Sequence, residues 1–112
     1  MKIAVCSNGQ DINDKLSPSF AKTPYFIIID SETQKVKVTD NTCRHGKQCY
    51  CERHSARTIR ASGAQVLISA QTDYAVAARL KRAGVIVVQV DGGISAKEAL
   101  DIYQAKALHI VS

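Results

Sequence analysis

Two short apolar runs in the second half of the sequence constrain the fold more than any other feature. They cover residues 66–70 and 85–90, and the second is apolar at almost every position. Such a run is typical of a strand that is buried on both faces, as parallel strands are. Parallel neighbours need a crossover connection, and the intervening segment from about Asp73 to Ala83 has a helical pattern. The sequence therefore predicts an α/β fold.

The remaining elements follow from the same kinds of pattern. Three strands precede the first helix, and the predicted order is βββαβαβα in one domain spanning residues 1–112. We expect a five-stranded mixed sheet with three helices. Gly63 and Gly84 are expected to end the first two helices, and Ser95 with Glu98 forms a capping box at the start of the third. The other predicted elements are strands Lys2–Cys6, Tyr25–Ile29 and Lys35–Thr39, a helix from Ser55 to Ser62, and a last helix reaching about Ala107.

The inward faces of the last two helices can also be predicted from the spacing of apolar residues. In the second helix we expect Ala75, Ala78 and Leu80 to face the core. In the third helix the expected apolar stripe consists of Ala99, Leu100, Ile102, Tyr103 and Ala107.

The composition favours a cytoplasmic protein. No span of 18 apolar residues is present, so we expect no contact with a membrane, and the amino-terminal segment is too quickly polar for a secretory signal. In the cytosol, the four cysteines are expected to be thiols or metal ligands and not disulfides.

The predicted topology brings several loops to one edge of the sheet. If the first three strands form an antiparallel meander, right-handed crossovers make the first, third, fourth and fifth strands parallel. Their carboxyl ends then share the edge where open α/β sheets bind ligands. The helices begin there too, and we expect their unpaired N–H groups to attract an anion. The loops at this edge follow Cys6, Thr39, Ala70 and Val90.

The loop after the third strand contains an unusual cluster of metal-binding residue types. Thiol and imidazole groups are ligands that zinc and iron-sulfur centres favour. Five lysines and arginines and only one acidic residue lie between Asn41 and Arg60, and nearby cations favour the thiolate form that binds metal. The candidate metal ligands are Cys43, His45, Cys49, Cys51 and His54, and the candidate cations that would offset a bound cluster's negative charge are Arg44, Lys47 and Arg53.

The spacing of this cluster leaves several interpretations open. Cys-x5-Cys-x-Cys-x2-His matches no standard zinc pattern, yet a structural zinc site remains an alternative. A regulatory or interaction module whose basic edge docks an acidic partner is a second alternative. A redox role for Cys49 and Cys51 is a third. Cys6 either is buried as a small apolar residue or approaches the cluster from its own strand. Phe20 and Tyr50 either shield the site or simply pack.

Other ligand classes have weaker support. The pair Gly92-Gly93 precedes a helix, but the glycine-rich motifs of nucleotide sites are absent. Asp73 and Asp91 follow strands at the functional edge, but the first strand offers Cys6 instead of an acid, which disfavours a nuclease. Nucleic acid is an unlikely partner because Tyr50 alone hardly forms a stacking platform.

Four segments in order along the chain resemble the dinitrogenase iron-molybdenum cofactor biosynthesis family, which includes the NifX and NafY type domains and the C-terminal domain of NifB. Residues 17–26 are similar to the family's Ser-Pro-x-Phe-Gly-x-Ala-x-Tyr-Phe, and residues 64–70 to its Gly-Val-Asp-Val-Val-Ile-Ala strand. The opening residues 1–5 and the ending residues 93–103 match as well. The resemblance implies a ribonuclease H-like fold without nuclease activity.

The resemblance also implies a function. Domains of this family carry or store iron-sulfur or molybdenum-containing clusters and pass them to other proteins, so the expected partners are a metal cluster and a cluster donor or acceptor protein. His45-Gly46 corresponds to the family's histidine- and glycine-rich loop, and three cysteines surround it here. The expectation is a cluster carrier for cofactor assembly or metal traffic, and not an enzyme.

Overall fold

Six strands and three helices form the part of the chain that a computed structural model describes. This part comprises residues 2–20, 23–41, 52–70, 74–90, 92–105 and 110–111, and the side chains of 52–54, 105 and 110–111 lie outside it. The strands are β1 (Lys2–Ser7), β2 (Tyr25–Asp30), β3 (Val36–Asp40), β4 (Val66–Ser69), β5 (Ile86–Gln89) and β6 (Ile110–Val111). The helices are α1 (Glu52–Ser62), α2 (Tyr74–Arg82) and α3 (Ala96–Ala105).

The predicted α/β architecture is confirmed. The five predicted strands and three predicted helices are present in the predicted order. The structure adds β6, whose two residues are too few to produce a periodic pattern in the sequence. It also begins α1 at Glu52, three residues before the predicted start at Ser55.

The strand directions agree with the predicted meander and crossovers. The order across the sheet is β3-β2-β1-β4-β5-β6. β2 is antiparallel to both β1 and β3, so β3 runs in the same direction as β1. β4 and β5 are parallel to β1 and to each other, and β6 is antiparallel to β5. β1, β3, β4 and β5 therefore end at one edge, which we call the carboxyl edge.

Two apolar layers pack on opposite faces of the sheet, because successive side chains of a strand alternate between faces. In β1, Ala4 and Cys6 face the layer that contains Ile59 of α1 and Leu80 of α2. The intervening side chains, such as Val5, face the other layer, which contains residues of α3. The sheet thus lies between α1 and α2 on one face and α3 on the other.

The inward faces of α2 and α3 differ partly from the prediction. In α2 the buried residues are Val76, Ala77 and Leu80, whereas Ala75 is exposed. The predicted register was wrong for the alanines because small residues carry too little hydrophobic signal to fix the phase of a short helix. In α3, Ala99 and Leu100 are buried as expected, but Ile102 is exposed. Ala107 lies outside the described residues.

The ends of the helices follow the local signals in the sequence. Gly63 and Gly84 have φ angles of 78° and 88°, the left-handed conformation that ends a helix and favours glycine. None of the three described helices combines the length and the apolar character that a membrane crossing requires.

Candidate functional site

The carboxyl edge holds both ends of the segment with the predicted metal ligands. β3 ends at Asp40 on this edge, and α1 begins at Glu52 and leads back toward β4. The described residues on either side of 42–51 therefore lie at the same edge of the sheet. Such an edge is where open α/β sheets usually bind ligands.

A buried asparagine bridges the two ends of this segment. The Asn41 side chain is 3% exposed, and its Nδ2 donates hydrogen bonds to the Thr23 carbonyl oxygen at 2.7 Å and to Ser55 Oγ at 3.0 Å. The Thr58 hydroxyl in turn donates to Asn41 Oδ1 at 3.0 Å. Because Asn41 follows β3 while Ser55 and Thr58 belong to α1, these bonds hold the first turns of the helix against the end of the strand. We call this set of four residues the asparagine bridge.

The backbone of Asn41 strengthens the same connection. Its N–H donates to the carbonyl oxygen of Pro24 at 3.0 Å, which continues the pairing of β2 with β3 by one step. The Thr23 hydroxyl donates to the carbonyl oxygen of Ser19 at 2.8 Å. The bridge is therefore anchored on the segment before β2 as well as on β3 and α1.

Cys6 lies beneath this edge and is the free cysteine among the described residues. Its side chain is fully buried, and burial raises the pKa of the thiol to about 12, although hydrogen bonds with the Thr23 and Ser69 side chains oppose this rise. A thiol with this pKa stays protonated at neutral pH, whereas metal binding needs the thiolate. Of the two interpretations of Cys6, the structure supports the small buried side chain.

Phe20 also belongs to the core. It is 3% exposed, and its ring centroid lies 5.9 Å from that of Phe26 in a tilted arrangement. Packing, and not shielding of a ligand, accounts for this residue. Tyr50 lies outside the described residues.

The predicted ligands fall at or beyond the limits of the described residues. Arg53 and His54 lie in the first turn of α1 and not in the preceding loop, a correction to the predicted helix start, and their side chains are outside the description. Among the described residues, no three Cys, His, Asp or Glu side chains gather into a metal-binding group. The predicted site residues that lie wholly outside the described residues are Cys43, Arg44, His45, Lys47, Cys49 and Cys51.

The start of α3 does not offer the expected anion site. The capping box is confirmed, since Glu98 N donates to Ser95 Oγ at 3.0 Å and Ser95 N donates to Glu98 Oε1 at 3.4 Å. The next two N–H groups are also engaged, because Ala96 N donates to Asp14 O at 2.9 Å and Lys97 N donates to Ile12 O at 2.8 Å. The expectation of unpaired N–H groups was wrong here because the loop after β1 folds over this helix end. Asp73 and Asp91 lie outside the described residues.

The asparagine bridge was missed from the sequence alone. Its members are small polar residues that are common in loops and at helix starts, so no single one is distinctive. A weak signal existed in Asn41, which directly follows a predicted strand and precedes the cysteine-rich segment. Its burial and its partners 14 and 17 positions away could be seen only in the folded chain.

Solved structures of other proteins share the fold of this chain. The chain is similar to the apo form of the orange protein from Desulfovibrio gigas, with a TM-score of 0.86, 23% identity, and coverage of 99% of this chain and 92% of that one. It is also similar to a putative NifB protein from Thermotoga, with a TM-score of 0.75, 25% identity, and coverage of 96% and 90%. No curated protein matches the sequence closely enough to add to this comparison.

A family comparison covers nearly the whole chain and agrees with the resemblance found in the sequence motifs. The matching family is described as "Dinitrogenase iron-molybdenum cofactor", and the match extends over residues 1–106. That range includes the cysteine-rich segment, residues 42–51, and every described element except β6. The chain therefore belongs to the dinitrogenase iron-molybdenum cofactor family.

Proposed function

We propose that this protein binds a metal-sulfur cluster, either iron-sulfur or molybdenum-containing, and carries it for cofactor assembly or metal traffic. Cys43, Cys49 and Cys51 would supply thiolates, and His45 or His54 would supply a further ligand. The nearby cations Arg44, Lys47 and Arg53 would offset the negative charge of the cluster. The protein would act as a carrier and not as an enzyme, in the reducing environment of the cytoplasm.

The asparagine bridge is the observation that carries this proposal. The chain on either side of residues 42–51 is held together, because Asn41 Nδ2 donates a hydrogen bond of 3.0 Å to Ser55 Oγ. Holding the two ends of a segment together lowers the conformational entropy that the segment loses when it closes around a ligand.

The donor set also fits such a cargo. Three thiols and two imidazoles lie within twelve residues, and thiolates are the usual ligands of iron-sulfur clusters. Family membership supports a cofactor-related role. We further propose that the fold is ribonuclease H-like, which three antiparallel strands followed by two parallel strand-helix units in one mixed sheet support. The expected partner is a protein that donates or accepts the cluster.

Anaerobic reconstitution with ferrous iron and sulfide tests the proposal. The purified full-length protein should acquire a visible sulfur-to-iron charge-transfer band, and Cys49→Ser and Cys51→Ser should each diminish it. Cys6→Ala is the matched control and should leave the band unchanged, since the Cys6 side chain is fully buried.

Elemental analysis of protein purified anaerobically without added metal completes the test. Iron or molybdenum together with sulfide is the expected result. Zinc without sulfide, or a colourless protein that takes up no metal on reconstitution, would contradict the proposal.

A further inference from the structure

A basic groove lies at the end of the sheet opposite the carboxyl edge. It has a volume of about 330 Å³ and is lined by the side of β3, the start of β1 and the last residue of α1. Its lining includes the lysines Lys2, Lys35 and Lys37, and Asp30 is the acidic residue among its lining residues. The three lysines are exposed, so the groove presents an excess of positive charge to solvent.

The side chains of residues 35–38, in and just before β3, alternate between the two faces of the sheet. Lys37 pairs with Ile28, which faces α1, so Lys37 and Lys35 lie on the groove side of the sheet. Val36 and Val38 pair with Ile29 and Ile27, which face α3, so their side chains project from the other face of the sheet, where they are 53% and 37% exposed; Val36 also lines the groove. β3 thus offers lysines on one side and uncovered apolar side chains on the other.

The outer edge of β3 also has polar backbone groups available for pairing. β3 is the terminal strand of the sheet, and among the described residues it pairs only with β2. Asp30 N donates to the carbonyl oxygen of Lys35 at 3.0 Å, so Lys35 belongs to a hydrogen-bonded pair of the antiparallel ladder. Such pairs alternate, and therefore the N–H and C=O groups of Val36 and Val38 point away from β2.

From these three features we infer that β3 docks an extended segment of a partner protein in which acidic and apolar residues alternate. The segment would add a strand to the sheet, with main-chain hydrogen bonds to Val36 and Val38. Its acidic side chains would lie over Lys35 and Lys37, and its apolar side chains would cover the two valines. This inference does not depend on the proposed cluster, since it is argued from residues 35–38 and the groove lining and not from residues 42–51.

The same features disfavour other occupants. A nucleic acid would be attracted by the lysines, but it offers no alternating apolar groups to cover Val36 and Val38, and none of the described residues that line the groove is aromatic, as base stacking would require. A second copy of this chain added to the same edge would bring its own Lys35 and Lys37 to the groove. Like charges placed together in this way destabilise strand pairing.

Binding of a synthetic peptide to the full-length protein tests the inference. The probe is a fluorescein-labelled peptide of four Val-Glu repeats, and its dissociation constant is measured by fluorescence anisotropy at low and high salt. We expect saturable binding that weakens as salt rises, because the lysines and glutamates attract each other through solvent. The double variant Lys35→Glu, Lys37→Glu should weaken binding at least tenfold. The matched control Lys81→Glu, Lys97→Glu changes the net charge equally on exposed positions of α2 and α3 and should leave binding within twofold.

A second variant separates strand addition from simple charge attraction. Val38→Pro removes an outward N–H without removing a bond to β2, and proline is tolerated on edge strands in this position. It should weaken peptide binding at least tenfold, whereas Val38→Thr keeps the donor and should stay within threefold. Hydrogen exchange tests strand addition directly on the unaltered protein. The Val36 and Val38 amides should become protected when the peptide is added.

Several outcomes would overturn the inference. A scrambled peptide with clustered glutamates that binds equally well would show that alternation is irrelevant. A single-stranded oligonucleotide that binds more tightly, with Val38→Pro having no effect, would indicate a site for any polyanion. Self-association that Val38→Pro abolishes in the absence of peptide would assign the edge to a second copy of the chain.

Discussion

The side-chain amide of Asn41 donates a hydrogen bond of 3.0 Å to the hydroxyl of Ser55, across the base of the segment that holds three of the four cysteines. Both residues are buried. The bond therefore joins the end of β3 to the first half of α1 in a place that water does not reach. Buried polar groups are costly to leave without partners, so this contact constrains the geometry of the segment more than an exposed bond would.

Asn41→Ala should destabilise the protein. The substitution leaves the Thr23 carbonyl and the Ser55 and Thr58 hydroxyls without their bonds to the amide, and we expect a loss of about 2–3 kcal/mol in the free energy of unfolding. Urea denaturation measures this loss. Asn13→Ala, at an exposed turn, is the control and should change stability by less than about 0.5 kcal/mol. Equal effects of the two variants would contradict the role of the bridge.

Cys6 should make stability fall at alkaline pH. The folded-state pKa is about 12, above the ordinary 9.0 of a free thiol, so between these values the unfolded chain loses a proton that the folded chain keeps. This difference favours the unfolded state as pH rises, and at pH 10.5 it amounts to about 2 kcal/mol. Below pH 9 the effect vanishes.

Other groups titrate in the same range, so the measurement is a comparison with Cys6→Ala. The free energy of unfolding of the unaltered protein should fall more steeply above pH 9 than that of the variant. In the folded protein the Cys6 thiol should also resist alkylation by iodoacetamide at pH 8, because its side chain is fully buried. Parallel pH profiles of the two proteins would refute the assignment.

Ser95→Ala should weaken the start of α3. The Ser95 hydroxyl accepts a bond from the N–H of Glu98, and loss of such a cap costs about 1 kcal/mol. Glu98→Gln keeps an acceptor for the Ser95 N–H and should cost less than half as much. Thermal unfolding followed by circular dichroism measures both. A larger effect of Glu98→Gln than of Ser95→Ala would count against the capping box as the main stabilising contact.

Gln34→Gly should stabilise the hairpin between β2 and β3. Gln34 has a φ of 61°, and a side chain in this left-handed conformation costs about 1–2 kcal/mol relative to the usual one. Glycine adopts it freely but loses more entropy on folding, and the variant also loses the bond from Gln34 Nε2 to the Ser31 carbonyl oxygen at 2.9 Å. The expected net gain is up to about 1 kcal/mol in urea denaturation. Gln34→Val, which is branched at Cβ, should instead destabilise the protein.

Much of the fold could be predicted because its signals are local. The apolar run in Lys2–Ser7, the left-handed turns at Gly63 and Gly84, and the capping box from Ser95 each depend on residues within a few positions of one another. The phase of α2 could not be read in the same way. Alanine carries too weak a hydrophobic signal to fix the phase of a short helix, so the packing of Val76 against the sheet decided which face is buried.

The candidate site, too, could be predicted only where its signals are local. The cysteines and histidines of residues 43–54 were evident as a donor set, and the assignment of individual ligands stays a prediction because their side chains lie outside the described residues. The bridge from Asn41 to α1 and the loop that occupies the start of α3 were not evident. Each brings together residues that are far apart in the sequence.

By itself, the sequence determined the element order, the turns and the kinds of ligand that the protein can offer, because periodicity, capping and side-chain chemistry act over short distances. Only the tertiary structure decided that Cys6 is buried in the core, that Asn41 holds Ser55, and that β3 is the terminal strand, paired among the described residues with β2 alone. The physical reason is that burial and hydrogen bonding depend on which distant segments meet when the sheet forms, and no local pattern records that meeting.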